Sequence, residues 1–145
     1  MKRHQTNVKV RYAETDQMGV VHHGVYPQYL EMARLDWLDG LGISYKEMEK
    51  SGIMLPVYEM KLQYLQPAYF DDELKIEVVL AEEPRVRICF VYKIFNKENE
   101  LLTKAETTLV FMNSETKKPI KCPQYILDRI RNSSQNMETG FSDEK

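Results

Sequence analysis

The chain has 145 residues, 43% hydrophobic and 29% charged, with a formal net charge of −2. That is the length of one domain able to bury its own core, and the charge gives no reason to expect nucleic acid or an anionic membrane as partner. No apolar run nears the roughly 18 residues of a membrane span. The start has no apolar signal core, and Cys89 and Cys122 lack CxxC spacing, so the expectation is a cytoplasmic protein with free thiols.

Val8, Val10 and Tyr12 alternate with Lys9 and Arg11, which predicts a strand with one buried face. From Val25 to Leu41 the period changes. Tyr26, Tyr29, Leu30, Ala33, Trp37 and Leu41 recur at spacings of three and four, and Val25, Met32, Leu35 and Leu38 widen the stripe. A helix with so wide an apolar face is expected to be mostly buried. Pro27 suits its first turn, and Gly40 and Gly42 suit its end. Ser44 to Lys50 reads as a short exposed helix with Ser44 as N-cap and Glu47 three residues on.

Four further strands follow. Tyr58, Met60, Leu62 and Tyr64 alternate with polar residues, as do Leu74 to Leu80, Val86 to Ile94 and Leu101 to Met112. The turns between the last three are short, so those strands are expected as antiparallel neighbours. Pro123 to Arg131 reads as a short terminal helix, and 132–145 as a polar, frayed tail. A lone buried helix needs the only available sheet to cover it. The expected fold is therefore α+β: one domain over 1–131, with a five-stranded antiparallel sheet wrapped around one long helix. Exposed sheet edges argue for an oligomer.

The densest chemistry lies between the first strand and the long helix. Asp16 can serve as a general base on water or attack a carbonyl itself; the plainer role is a turn Asp binding nearby N–H groups. The segment from Val21 to Val25 enters a buried helix, whose first N–H groups lack intrahelical partners and favour negative charge. Such a helix start suits the oxyanion of an attacked carbonyl, and Gly24 permits close approach of backbone to ligand. His22 and His23 have no second cluster with which to hold a metal, so neither metal nor cofactor is expected. Each suits a neutral imidazole positioning substrate or water, or a polar residue satisfied at the helix entry.

The stretch VRYAETDQMGVVHHGVYPQYLEMAR (10–34) resembles the hotdog-fold acyl-CoA thioesterases of the 4-hydroxybenzoyl-CoA thioesterase type, in particular the YbgC-like and FadM-like branch. LQPAYFDDELKIE (65–77) is similar to that family's second block, and the resemblance spans roughly residues 6–130. It implies dimers joined sheet edge to sheet edge, often paired into tetramers, with active sites at the dimer interface and acyl-CoA as substrate. It implies Asp16 as the catalytic carboxylate, and His23 at the helix entry where a backbone N–H polarises the thioester carbonyl. Tyr26 matches the aromatic that follows, and Glu31 and Arg34 an acid and a base on the helix. His22 departs from the tyrosine or tryptophan common at its position. Some hotdog enzymes carry the carboxylate on the helix, where Glu31 is the candidate; its simpler role is an ion pair with Arg34 three residues on. Arg85 and Arg87 lie where relatives meet the coenzyme A phosphates, chemistry that suits guanidinium; their plainer role is a solvated strand face. A hydratase or dehydratase on acyl thioesters, or a non-catalytic acyl-CoA-binding module, are the alternatives.

Overall fold

A computed structural model describes the backbone of residues 3–140 and side chains up to residue 133. The elements are β1 (His4–Lys9), α1 (Tyr26–Gly40), α2 (Tyr45–Lys50), β2 (Ile53–Met54), β3 (Val57–Tyr64), β4 (Glu73–Leu80), β5 (Arg87–Phe95), β6 (Leu101–Val110), β7 (Met112–Asn113) and α3 (Gln124–Gly140). Five strands form one antiparallel sheet in the order β1-β4-β5-β6-β3. The expected neighbours β4, β5 and β6 do pair in sequence. The β2-β7 ribbon was not legible, because two-residue strands leave no alternation to read.

The inward residues of the sheet and the buried stripe of α1 make one core. Tyr29, Leu30, Ala33 and Trp37 share it with Ile76, Val78, Phe90, Tyr92 and Leu102. Trp37 meets Phe90 edge to face, ring centres 5.1 Å apart. Each fully buried large side chain contributes about 1.5–3 kcal/mol, so this stripe anchors α1 across the sheet. The helix ends as its glycines suggested. Gly42 has φ +78, its N–H donates to Asp39 O, and that of Ile43 donates to Leu38 O, the paired bonds of a Schellman cap. Ser44 Oγ accepts from Glu47 N and starts α2.

Three local expectations change. The first strand stops at Lys9, and Tyr12 is 77% exposed rather than inward, because Tyr12–Glu14 curls into a 3-10 turn closed by Glu14 Oε1 on the Arg11 N–H. On α1, Met32 and Leu35 are exposed while Arg34 is buried, so the buried stripe is narrower than the apolar one. The terminal helix continues past Arg131 to Gly140, so residues 132–140 of the expected frayed tail are helical in their backbone, and 141–145 lie outside the described residues. Cys89 and Cys122 are free thiols. Among the described residues no helix is long and apolar enough to cross a membrane.

Candidate active site

The loop from Thr15 to Val21 is closed on itself: Asp16 N–H donates to Val20 O, and Gly19 N–H to Asp16 O. Gly19 sits at φ +80, a conformation that glycine enters without strain. Asp16 Oδ1 accepts from Met18 N at 2.8 Å and Val20 N at 3.4 Å. This is the turn role that sequence allowed, but it engages one carboxylate oxygen only. Among the described residues Oδ2 has no hydrogen-bond partner, and Asp16 is exposed.

The chain then enters α1 through an extra 3-10 turn, His23–Val25. His22 is its N-cap, with Nδ1 accepting the Gly24 N–H at 2.9 Å. The two imidazoles stack, centres 4.3 Å apart. A Cβ at Gly24 would lie 3.1 Å from His22 Nδ1, so Gly24 leaves room for this folded-back ring. His22 is thus occupied by capping, whereas the His23 N–H has no partner among the described residues. Tyr64 Oη, from the end of β3, donates to His23 O at 3.0 Å and fixes the His23–Gly24 peptide, the one after the His23 N–H.

Asp16, Val20, Val21, His23 and Tyr26 line one cleft of about 330 Å³ with Tyr64, Leu65, Gln66 and Pro67. Tyr26 is buried at its base, ring centre 5.2 Å from that of Tyr64, and burial raises its phenol pKa. Of the residues read from sequence, the structure brings Asp16, His23 and Tyr26 together here. Gly24 borders His23 in the chain. Glu31 is exposed and lines a different cavity, and among the described residues it forms no ion pair with Arg34, whose guanidinium instead reaches Tyr92 Oη. That corrects the helix-pair expectation: Arg34 turns inward and Glu31 outward.

Arg85 and Arg87 are exposed. The Arg87 guanidinium lies over the Tyr58 ring, 4.9 Å from its centre. Tyr58 is the second residue of β3 and Tyr64 its last, so within one chain Arg87 sits at the end of β3 away from the Asp16 cleft, with Arg85 two residues before it.

Two supporting residues had no sequence signal. Glu14 is 8% exposed; its carboxylate accepts from Arg11 N–H (2.8 Å), Arg11 Nε (3.1 Å) and Tyr29 Oη (2.8 Å). Burial opposes its charge, but the Arg11 backbone, the Tyr29 hydroxyl and the guanidinium together outweigh this and lower its pKa. Burial, then the bond to Glu14, raises the pKa of the Tyr29 hydroxyl. Fifteen residues separate the two, a spacing that marks no single element.

Residues 10–130 match the thioesterase-like superfamily. The chain belongs to that superfamily. It is 32% identical over 114 residues to the putative acyl-CoA thioesterase YneP of Bacillus subtilis (strain 168), covering 79% of this chain and 83% of the relative. It is 32% identical over 124 residues to the acyl-CoA thioester hydrolase YbgC of Escherichia coli O157:H7, covering 86% and 92%. A solved DHNA-CoA thioesterase from Staphylococcus aureus superposes with TM-score 0.86 at 35% identity, covering 96% of this chain and 95% of that one. This member of the superfamily is a thioester hydrolase of the hotdog fold, as the 10–34 segment implied, and the cleft beside the helix entry is its candidate site.

Proposed function

We propose that this chain hydrolyses acyl-coenzyme A thioesters at the Asp16 cleft. The observation that carries the reading is that one cleft is lined both by Asp16, whose carboxylate commits one oxygen to its turn, and by His23, whose N–H has no partner among the described residues. The thioester carbonyl oxygen accepts from the His23 N–H, which stabilises the negative charge that grows as the carbonyl is attacked. Asp16 takes a proton from water as the water oxygen bonds to the carbonyl carbon. Collapse of the tetrahedral species breaks the C–S bond, and coenzyme A leaves as thiolate with the free acid as co-product. In the second version of the step, Asp16 attacks the carbonyl and the resulting anhydride is hydrolysed. Single turnover in H₂¹⁸O separates direct attack by water, which puts label in the acid, from attack by Asp16 with the anhydride then opened at the Asp16 carbonyl, which returns an unlabelled oxygen to the acid and leaves the label in Asp16.

The acyl-CoA assignment draws on the activities named for YneP and YbgC. The 10–34 segment lacks a hydratase motif, which disfavours hydration, and the half-committed carboxylate disfavours a binding-only module. Release of free thiol from acetyl, butyryl, hexanoyl, palmitoyl and benzoyl thioesters is the test. Turnover of at least one of them, lost in Asp16→Asn, supports the proposal; a folded protein that binds acyl-CoA without releasing thiol overturns it.

We further infer that the working form is a dimer, paired along the free edge of β3, with a tetramer as the further possibility. β3 is an outer strand, and Val57, Tyr58 and Tyr64 on it are exposed. Its ends are about 23 Å apart at the usual rise per residue. A two-fold axis across its middle carries Arg87 of one copy toward the Asp16 cleft of the other, where guanidinium suits the coenzyme A phosphates; Arg85 lies close by in the chain.

A further inference from the structure

A second cavity, of about 260 Å³, lies beneath the C-terminal half of α1, walled by Trp37, Leu38, Phe90, Leu109 and Phe111. Arg34 opens onto it and is only 8% exposed. Its Nη1 donates to Tyr92 Oη at 3.1 Å, and that hydroxyl shares a 2.6 Å hydrogen bond with Thr107 Oγ1. Among the described residues no carboxylate pairs with it: every ion pair uses another cation. Glu31 sits on the rim and is solvated. Thr103 Oγ1 is the one fully buried side-chain polar atom without a partner among the described residues, so the remaining Arg34 N–H groups are not sealed inside protein, and Arg34 lines the cavity.

A buried cation without a counter-charge is costly. The guanidinium fork matches a carboxylate, with two parallel charge-assisted bonds. Apart from Arg34 and, at the rim, Glu31, the lining side chains are apolar or aromatic, which suits a small hydrophobic body. We propose that this cavity is a binding site for a small amphiphilic monocarboxylate, its carboxylate on Arg34 and its apolar body against Trp37 and Phe90. Hydrolysis of an apolar acyl thioester releases an acid of this class, so the site deepens the proposed function by taking its product. Binding itself needs no Asp16.

Trp37 is the sole tryptophan of the chain, so intrinsic emission reports on this cavity. The experiment titrates the full chain with cyclohexanecarboxylate and, separately, with cyclohexylmethanol, which has similar shape and no charge. A saturable emission change at least about tenfold tighter for the carboxylate is expected, with the preference abolished in Arg34→Met. Asp16→Asn, which removes turnover if the function above is right, leaves the titration unchanged, so the two readings fail separately. Equal affinity for acid and alcohol, no saturable response, or a preference that survives in Arg34→Met each overturns the site. The wild-type comparison decides the matter even if Arg34→Met folds poorly.

Discussion

Tyr29 Oη donates to Glu14 Oε1 at 2.8 Å, joining the buried face of α1 to the turn that precedes Asp16. The same Glu14 accepts through its backbone oxygen from His22 N–H. One residue therefore ties together the acid loop, the helix entry and the helix itself. Tyr29→Phe keeps the ring and removes the donor. A lost hydrogen bond to a charged group costs about 1.5–3 kcal/mol, so a loss of that order in urea denaturation is expected. Turnover should fall with KM little changed, because the loop is held less firmly. Unaltered stability and kcat would show that Arg11 alone holds Glu14.

Acid should weaken the fold through the same carboxylate. Burial raises the Glu14 pKa, but its hydrogen bonds and Arg11 bring the net value below 4.5, its ordinary value. The ionised group stabilises the folded state above its unfolded pKa. That contribution is lost as pH falls from about 4.5 through the lower folded pKa. Glu14→Gln should be less stable at neutral pH and should show a flatter stability curve in this acidic window. Parallel curves for wild type and variant would remove Glu14 as a source of the acid sensitivity.

The His23 backbone can be tested without an unnatural residue. His23 occupies the first position of the entry turn, where proline is tolerated. The preceding residue, His22, has ψ 138, the extended conformation favoured before proline. His23→Pro removes the N–H and His23→Ala removes only the imidazole. An oxyanion donor is worth about 3 kcal/mol of barrier, so the proline variant should lose roughly a hundredfold or more in kcat while the alanine variant loses far less. Equal losses in the two would assign the role to the ring.

Much of this was legible in the sequence, for a physical reason. Period-two and period-three-to-four patterns located β3 to β6 and α1 and caught the end of β1, because burial on a pleat or a helix repeats along the chain. Asp16, His23 and Tyr26 converge because they lie within eleven residues of one continuous loop and helix start. What sequence missed depends on distance. Glu14 meets Tyr29, Tyr64 meets His23, and Arg34 turns in to Tyr92, each across elements with no fixed spacing. Tyr12 misled because strand alternation continued into a 3-10 turn whose backbone no longer alternates. The exposed faces of Tyr58 and Tyr64 follow from the edge position of β3, which only the strand order reveals.

That edge position allows a test of assembly. Leu65 N–H donates to Leu102 O across the β3-β6 pair, and bonded residues alternate along an antiparallel ladder. Tyr64, Leu62 and Met60 therefore direct their N–H groups toward the free edge. Proline is tolerated at such positions, since no internal sheet bond is lost. Leu62→Pro should keep the circular dichroism of the fold yet block pairing along β3. If the dimer joins there, the variant sediments as a monomer, and thioester turnover falls with dimer content because each cleft then lacks its partner's Arg87. A variant that remains dimeric and active would place the interface on another surface and leave Arg87 without a role at the cleft.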